Sequence, residues 1–333
     1  MKQKGLADRG ECVYRDAENI IANISDLNGY SMREKPGLIY DIHYSSIWKV
    51  ELINGRSGET TSLAFKYYHL GDRLYEKTYR MKSLLRKHFK QHTGFHIPAP
   101  IMYSDKMHLL VMEYIPGQRL DKIIRRKPVW ITRPASLVDY IKNAAHWLSI
   151  LHSIKDQAIE TESYSLDELD IEATIGESKE RIVNMNPDHI LNELSELKTY
   201  LNTGDISLTH RDYVPWNILY TKYGITVLDF DSISYAYREM DIAQMYVALS
   251  VSNVIGLSAG GARYMQSLFL SSYPGNFDKN SLRFWIYNEL LKTLRKAGYR
   301  KNIWSYLQYS LLIKIINRQL VELYHKKSVL DAN

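Results

Sequence analysis

Hydrophobic and polar residues change their spacing near position 117, and this change predicts two regions of different structure. Before that point, short runs of β-branched and aromatic residues alternate with turn residues, as in antiparallel strands. Beyond that point the apolar spacing is mostly helical. The first region is predicted to contain a helix at about 72–90, a turn at 54–58, and strands at Ile39–Tyr44, Ile47–Leu52, Ser62–Tyr68, Ile101–Tyr103 and Leu109–Tyr114.

This order of strands, one helix, more strands and then mostly helices predicts an α+β fold. We expect a small region with an antiparallel sheet over residues 1–115 and a larger, mostly helical region over residues 116–333. A chain of 333 residues is long enough for two such lobes with a sizeable buried core.

The composition excludes several classes of protein. With 45% hydrophobic and 24% charged residues, the chain is neither disordered nor a coiled coil. The single cysteine, Cys12, excludes an internal disulfide framework and a thiolate-rich metal site, so we expect a reducing, cytoplasmic location. The net charge of +6 is too mild to indicate a nucleic-acid partner. The uncharged run Gln244–Ala262 is as long as a membrane span, but its serine, asparagine and glycine residues predict a buried helix instead.

Two short polar motifs in the helical region carry the most chemical information. The first is Thr209–Tyr220, in which a His-x-Asp triplet ends at Asp212 and Asn217 follows five residues later. The second is an apolar strand, Ile225–Leu228, that ends at Asp229. A hairpin built from these motifs would bring the two carboxylates and the amide to one edge, where their oxygen atoms suit Mg²⁺. Phosphoryl transfer needs such a set, because a carboxylate orients the attacking hydroxyl while a metal holds the nucleotide phosphates.

These residues resemble the kinase-like phosphotransferases that act on small molecules, the group of aminoglycoside phosphotransferases and choline kinases. The resemblance extends over about residues 39–241 and is sharp only in the two motifs. It implies the two-lobed, protein-kinase-like fold, with Asp212 as the catalytic base and with Asn217 and Asp229 as Mg²⁺ ligands. It also implies ATP as the phosphate donor and a structural role for His210 under the metal-binding turn.

The same resemblance implies a nucleotide site in the sheet region. Kinase-like folds hold the α- and β-phosphates with a lysine on the third strand, and Lys66 has that position. A glutamate of the following helix should orient the lysine, and Glu76 is the only glutamate between Lys66 and Glu113. Glu76 lies nearly opposite the apolar stripe of its helix, so an exposed acid stays an alternative. The backbone C=O of Glu113 and the N–H of Ile115, in a segment that resembles the hinge between the lobes, would pair with adenine.

The sequence departs from the protein-kinase pattern in ways that favour a small-molecule substrate. No glycine-rich phosphate loop precedes Lys66, and only eleven residues separate Asp229 from Asp241, which leaves no room for a regulated activation segment. Arg211 gives the protein-kinase spelling His-Arg-Asp, where small-molecule enzymes commonly carry glycine. Asp241 resembles the structural aspartate that the family carries at the start of a helix, where it could cap.

The sequence therefore predicts an ATP- and Mg²⁺-dependent phosphotransferase that moves the γ-phosphate to a hydroxyl of a sugar, an aminoglycoside or an amino alcohol. The acceptor pocket should come from residues 157–202 and from the helices after Asp241. Residues 160–180 contain eight acids and one base, which indicates either a solvated surface or a rim that attracts a cationic acceptor. Two other functions stay open: a non-catalytic, kinase-like assembly protein of the spore-coat type, and a protein kinase.

Overall fold

The computed structural model divides the chain into two compact units, Met1–Pro116 and Gly117–Asn333. The structure describes residues 2–69, 73–126, 135–156, 159, 161, 163–166, 169–203, 206–252, 259–297, 303–325 and 330. Each unit has its own set of helices and strands.

The first unit is built on an antiparallel sheet. Its elements are α1 (Lys2–Asn23), β1 (Tyr30–Met32), β2 (Gly37–Asp41), β3 (Ser45–Asn54), β4 (Thr60–Tyr68), α2 (Leu74–Phe89), β5 (Phe95–His96), β6 (Pro100–Ser104) and β7 (Leu109–Glu113). The strand order is β1-β3-β4-β7-β6. Strand β2 pairs with the first half of β3, and β1 pairs with its last residues. All of these pairs are antiparallel, as the alternating sequence pattern predicts.

The two faces of this sheet pack against different helices. On one face, alternate residues of β3 point inward and meet the apolar side of α1, which contributes Val13, Ala17 and Ile20. On the other face, a second cluster joins Tyr75 of α2 to Ala64 and Leu110. Covering both faces explains why β4 and β7 are almost continuously buried rather than alternating.

The second unit is mostly helical. Its elements are β8 (Gln118–Arg119), α3 (Leu120–Arg126), α4 (Ala135–Ser153), α5 (Ile171–Ser178), α6 (Pro187–Lys198), β9 (Ile206–Thr209), β10 (Ile218–Thr221), β11 (Gly224–Val227), β12 (Ser234–Tyr237), α7 (Arg238–Ser252), α8 (Ala259–Ser272), α9 (Lys279–Ala297) and α10 (Ile303–Tyr324). Strand β10 pairs antiparallel with β8 and β11, and β9 pairs antiparallel with β12. The predicted α+β class, with a sheet-bearing first part and a helical second part, is confirmed.

The long uncharged run Gln244–Ala262 covers the end of α7 and the start of α8, with residues 253–258 outside the described part. In α7, Met245, Val247 and Leu249 are buried in the second unit, which agrees with the expectation of a buried helix. None of the helices in the described ranges combines the length and apolarity needed to cross a membrane.

A buried polar network joins three helices of the second unit around Asp241. The Nε2 atom of His152 in α4 lies 3.1 Å from Oδ2 of Asp241 in α7, and its Nδ1 atom lies 2.8 Å from the hydroxyl of Tyr273. Burial lowers the pKa of His152, although Asp241 opposes this effect. A neutral His152 therefore donates from Nε2 to the carboxylate and accepts from Tyr273 at Nδ1.

The Asp241 carboxylate has a different role from the helix cap expected from the sequence. Helix α7 begins earlier, at Arg238, so Asp241 lies within its first turn. Its two oxygens accept from the backbone N–H groups of His210 and Arg211, each at 2.7 Å. The side chain thus holds the loop that follows β9 rather than the end of its own helix.

We expect opposite results from alanine at two glycines of the second unit. A Cβ at Gly117 would lie 2.8 Å from both the backbone oxygen of Tyr220 and Cγ2 of Thr221, because β8 runs close beside β10 there. Gly117→Ala should therefore destabilise the protein by about 1–3 kcal/mol. Gly176 lies inside α5 with nothing within 4 Å, so Gly176→Ala should stabilise the protein by about 0.5–1 kcal/mol. Chemical denaturation of both variants measures the difference, and equal effects would contradict the close approach at Gly117.

We also expect Asp241→Asn to destabilise the protein by about 2–4 kcal/mol, because asparagine has one acceptor oxygen for the two amides that the carboxylate now binds. Asp170→Asn is the matched control. Asp170 caps α5 through a hydrogen bond from the Ala173 N–H, and asparagine caps helices equally well. Denaturation curves should separate the two variants clearly, whereas equal midpoints would show that the second bond to Asp241 contributes nothing.

Candidate active site

The two polar motifs form adjacent turns in the second unit. Strand β9 ends at Thr209, and the chain then passes through Asp212 into a single 3₁₀ turn, Pro215–Asn217, before β10 begins. Proline at the start of that turn has no N–H to satisfy, which suits the position. Strand β11 runs antiparallel to β10 and brings Asp229 back beside Asn217. The hairpin predicted from the sequence is therefore present.

Hydrogen bonds connect Asn217 to Asp212 and to the residue before Asp229. The Nδ2 atom of Asn217 donates to the backbone oxygen of Asp212 at 3.0 Å and to its Oδ2 at 2.6 Å. The backbone oxygen of Asn217 accepts from the N–H of Leu228, the residue before Asp229, at 2.8 Å. One asparagine thus fixes the Asp212 carboxylate on one side and the approach to Asp229 on the other.

His210 supports the same turns from below. It is fully buried, and its Nε2 lies 2.9 Å from the backbone oxygen of Leu228 while the Asp212 N–H donates to its Nδ1 at 3.3 Å. In these contacts Nε2 is placed to donate to the Leu228 oxygen, and Nδ1 accepts from the Asp212 N–H. Its ring packs in the aromatic cluster of Trp147 and Phe230. This geometry agrees with the structural role that the family resemblance implies for His210.

The backbone of both turns is strained at defined points. Arg211 and Asp229 each have a φ of +62°, the left-handed conformation that L-residues other than glycine, asparagine and aspartate rarely adopt. The carboxylate of Asp241 accepts from the N–H of Arg211. On the other side of the same residue, Nε2 of Gln244 donates to the Arg211 backbone oxygen at 2.9 Å. Gln244 was not identified from the sequence, because nothing in its local pattern points to a partner 33 residues away.

The electrostatics of the site favour a bound cation. Burial raises the pKa of Asp212, and the negative charge of Asp229 raises it further, against the opposing effects of His210 and the hydrogen bond from Asn217. The two carboxylates therefore repel each other across a partly buried site. A divalent cation beside Asp229 would remove that repulsion and keep Asp212 ionised.

The donor set fits a magnesium ion that is also held by phosphate. In the described part of the chain, no group of three or more His, Cys, Asp or Glu residues could hold a metal alone. Magnesium usually takes one or two protein oxygens and completes its shell with water and phosphates. The carboxylate of Asp229 could supply one such oxygen and Oδ1 of Asn217 the other, because Nδ2 is used on Asp212.

Lys66 lies in the middle of the sheet of the first unit. It belongs to β4, opposite Ile47 of β3 and Leu110 of β7, and only 5% of it is exposed. Its ammonium group lies 5.1 Å from the centre of the Tyr68 ring. A lysine on a central strand with so little exposure is not the solvent-facing residue that strand lysines usually are.

The Glu76 carboxylate contacts two side chains of the first unit. Its Oε1 accepts from Arg80 at 2.6 Å and lies 3.5 Å from the hydroxyl of Tyr103. The inward face of α2 instead carries Lys82, which is 2% exposed with its ammonium 3.3 Å from Sδ of Met112. Lys82 was overlooked in the sequence, although it lies three residues before the buried Leu85, on the apolar side of the helix.

In the hinge-like segment, the Glu113 side chain and the amides of Glu113 and Tyr114 already have hydrogen-bond partners. Oε2 of Glu113 lies 2.9 Å from Nε2 of His96 and accepts from the Ala99 N–H at 3.1 Å. Partial burial alone would raise the pKa of Glu113, but these two hydrogen bonds outweigh it and lower the pKa. The Glu113 and Tyr114 amides donate to the backbone oxygens of Ala99 and Ser62, so Ile115 carries the next N–H along the chain.

The acidic run is solvated where the structure describes it. Asp170 caps α5, while Glu172, Glu177 and Glu180 are exposed, and Glu177 lies 3.5 Å from Arg295. Exposed acids of this kind are typical of a solvated surface. The other acids of the run, Glu160, Glu162, Asp167 and Glu168, lie outside the described residues.

Comparison with solved structures identifies the fold. A microcompartment-associated aminopropanol kinase matches with a TM-score of 0.56 at 12% identity, over 93% of this chain and 99% of that one. A choline/ethanolamine kinase family protein from Mesorhizobium loti matches with a TM-score of 0.54 at 12% identity, over 96% and 99% of the two chains. An amicoumacin kinase in complex with AMP-PNP and Ca²⁺ matches with a TM-score of 0.52 at 14% identity, over 91% and 90%. At these identities the matches establish a shared fold, and the predicted kinase-like fold is confirmed.

Comparison of the sequence identifies the family. No curated protein matches the chain significantly in sequence. The model of the phosphotransferase enzyme family, abbreviated APH, matches residues 51–269, a range that includes Lys66 and both polar motifs. Since this range covers well over half of the chain, the resemblance noted in the sequence is confirmed, and the protein belongs to the phosphotransferase enzyme family.

Proposed function

We propose that the protein is a small-molecule kinase that uses ATP and Mg²⁺ to phosphorylate a hydroxyl group. The observation that carries the proposal is the Asn217 side chain, which binds the Asp212 carboxylate at 2.6 Å while its backbone binds the residue before Asp229. A base and a metal site built from one hydrogen-bonded unit suit phosphoryl transfer, in which positioning and charge stabilisation supply most of the catalysis. Family membership and fold support the general class of phosphotransferase.

Asp212 acts on the acceptor in this proposal. Asn217 holds Oδ2 of Asp212, which leaves Oδ1 to accept a hydrogen bond from the acceptor hydroxyl. The hydroxyl oxygen attacks the γ-phosphorus, the bond from that phosphorus to the β,γ-bridging oxygen breaks, and the hydroxyl proton passes to Asp212. Burial, which raises the pKa of Asp212, helps it to receive that proton.

The nucleotide is bound by residues from both motifs and from the sheet. Asp229 and Oδ1 of Asn217 would hold Mg²⁺, which neutralises the charge that develops on the phosphates. Lys66 would hold the α- and β-phosphates, and the backbone C=O of Glu113 and N–H of Ile115 would pair with adenine. Glu76 would act on Lys66 only after leaving Arg80. One of the structural neighbours is complexed with AMP-PNP, which supports nucleotide use.

The acceptor is a small hydroxylated molecule in this proposal. Structural neighbours include an aminopropanol kinase, a choline/ethanolamine kinase family protein and an amicoumacin kinase, which supports an amino alcohol or a related amine as the first candidate class. Cys12, the single cysteine, is exposed, which supports action in the reducing cytoplasm. A screen of sugars, aminoglycosides and amino alcohols with ATP or GTP, measured by nucleoside diphosphate release, identifies the substrate pair. Release no faster than the background hydrolysis for every acceptor would favour the non-catalytic alternative.

We expect Asp212→Asn to lower kcat by about 10²–10⁴-fold while leaving the affinity for Mg²⁺-AMP-PNP nearly unchanged. Asparagine keeps the shape and an acceptor oxygen for Asn217 but cannot take a proton. Asp26→Asn, at an exposed position in the first unit, makes the same change in charge outside the motifs and the expected acceptor pocket and should retain full activity. Calorimetric titration with the nucleotide and steady-state kinetics with the acceptor separate the two effects. Equal losses of turnover and nucleotide affinity would remove Asp212 from the role of base.

We expect Asp229→Asn to weaken binding of Mg²⁺-AMP-PNP by about tenfold or more, because a neutral amide is a poorer ligand for a hard cation. Asparagine is the suitable replacement since the φ of +62° at this residue would strain most others. Binding of AMP-PNP in the presence of EDTA should change much less than binding with Mg²⁺. An affinity with Mg²⁺ equal to that of the unmodified protein would exclude Asp229 as the metal ligand.

A further inference from the structure

The residue before Asp212 is an arginine at a position where the backbone favours glycine. Arg211 has a φ of +62°, in the left-handed region that glycine enters without strain. Its backbone conformation is already fixed from both sides, since its N–H donates to Asp241 and its oxygen accepts from Gln244. Glycine at this position would keep both backbone contacts. Glycine would therefore satisfy the backbone equally well, and what arginine adds at this position lies in its side chain.

The Arg211 side chain binds an aromatic residue of the segment between α4 and α5. The guanidinium carbon lies 4.5 Å from the centre of the Tyr164 ring, within range of a cation–π interaction. One guanidinium nitrogen also lies 3.4 Å from Oγ of Ser234 in β12. The side chain thus lies between the start of β12 and the Tyr164 ring.

The segment that carries Tyr164 lies along β12. The hydroxyl of Thr161 donates to the backbone oxygen of Ile233 at 3.0 Å, and the N–H of Tyr164 donates to the oxygen of Tyr235 at 2.9 Å. On its other side, the Tyr164 ring meets the edge of the buried Trp285 ring in α9, with 6.0 Å between the ring centres. Arg211 joins this segment to the loop of Asp212 through the Tyr164 ring.

We propose that Arg211 is a positioning residue that fastens residues 163–166 against the loop of Asp212 and so sets the acceptor side of the active site. The proposal rests on the proposed function, because the region from 157 to 202 is where the acceptor is expected to bind. Arg211 itself need not touch the acceptor. It fixes a polar and aromatic segment against the residue that precedes Asp212.

Hydrogen exchange of the full-length protein tests the contact without any substrate. Arg211→Gly and Tyr164→Leu should each speed exchange of the Tyr164 amide by about twofold to thirtyfold, the range expected for loss of one cation–π contact. The double variant should exchange no faster than either single variant. Because glycine relieves the backbone strain, Arg211→Gly should not lower the melting temperature. Unchanged exchange of the Tyr164 amide in Arg211→Gly would overturn the proposal.

Two control variants make the exchange result specific. Tyr164→Phe keeps the ring under the guanidinium and should exchange like the unmodified protein. Asn184→Gly replaces another residue of the same unit with a left-handed backbone, a φ of +65°, at an exposed turn. It should leave the Tyr164 amide unchanged, and faster exchange there would mean that any relief of strain loosens the segment, which also counts against the proposal.

Kinetics with an acceptor found in the screen test the consequence for the active site. Arg211→Gly should raise the KM for the acceptor several-fold with little change in the KM for ATP, whereas loss of folding alone would lower the apparent kcat and leave both KM values in place. An unchanged acceptor KM would overturn the assigned role. If no acceptor is phosphorylated at all, the proposed function fails, and the exchange experiment still decides whether Arg211 holds the segment.

Discussion

The contact between one buried carboxylate and two consecutive backbone amides is the constraint on which the active-site geometry depends. Asp241 is fully buried and binds the N–H groups of His210 and Arg211 at 2.7 Å. A buried charge is costly unless hydrogen bonds replace its water, and here the two amides and His152 do so. These hydrogen bonds also offset the cost of the left-handed backbone at Arg211, which is about 1–2 kcal/mol. The direction of the Asp212 side chain follows from that turn.

The same network connects the loop to the helical scaffold. His152 attaches Asp241 to α4, and Tyr273 attaches His152 to the end of α8. His210 carries the support across to Leu228, next to Asp229. A reactive loop held by packed helices can be positioned more accurately than one held by its own residues, which is what phosphoryl transfer requires. The loop is held firmly in this sense, and a cation beside Asp229 would offset the repulsion between the two carboxylates.

The extent to which the sequence predicts this structure depends on how local each signal is. Strands β3 and β4 follow from runs of β-branched and aromatic residues on either side of a turn cluster, and the two motifs follow from their order and spacing, since each signal depends on neighbouring residues. The partners of Asp241 and Gln244 lie about thirty residues away and leave no local trace. The Arg211–Tyr164 contact is hidden for the same reason, although the arginine in a glycine position was visible in the sequence. Lys82 is the exception, because the spacing of α2 already placed it among the buried residues.

The position of Glu76 shows how a sequence rule and a packing rule compete. Family resemblance assigns this residue to Lys66, but the amphipathic pattern of α2 places it nearly opposite the apolar stripe of the helix. In the structure Glu76 binds Arg80, one turn along the helix, and the arginine side chain is 68% exposed. Such exposed i,i+4 pairs contribute only about 0.3–0.5 kcal/mol, so little free energy holds the carboxylate there. A triphosphate beside Lys66 would add a strong negative charge next to the lysine. This charge would disfavour the approach of the Glu76 carboxylate. Lys66 would therefore attract the Glu76 carboxylate more strongly before a nucleotide binds than after.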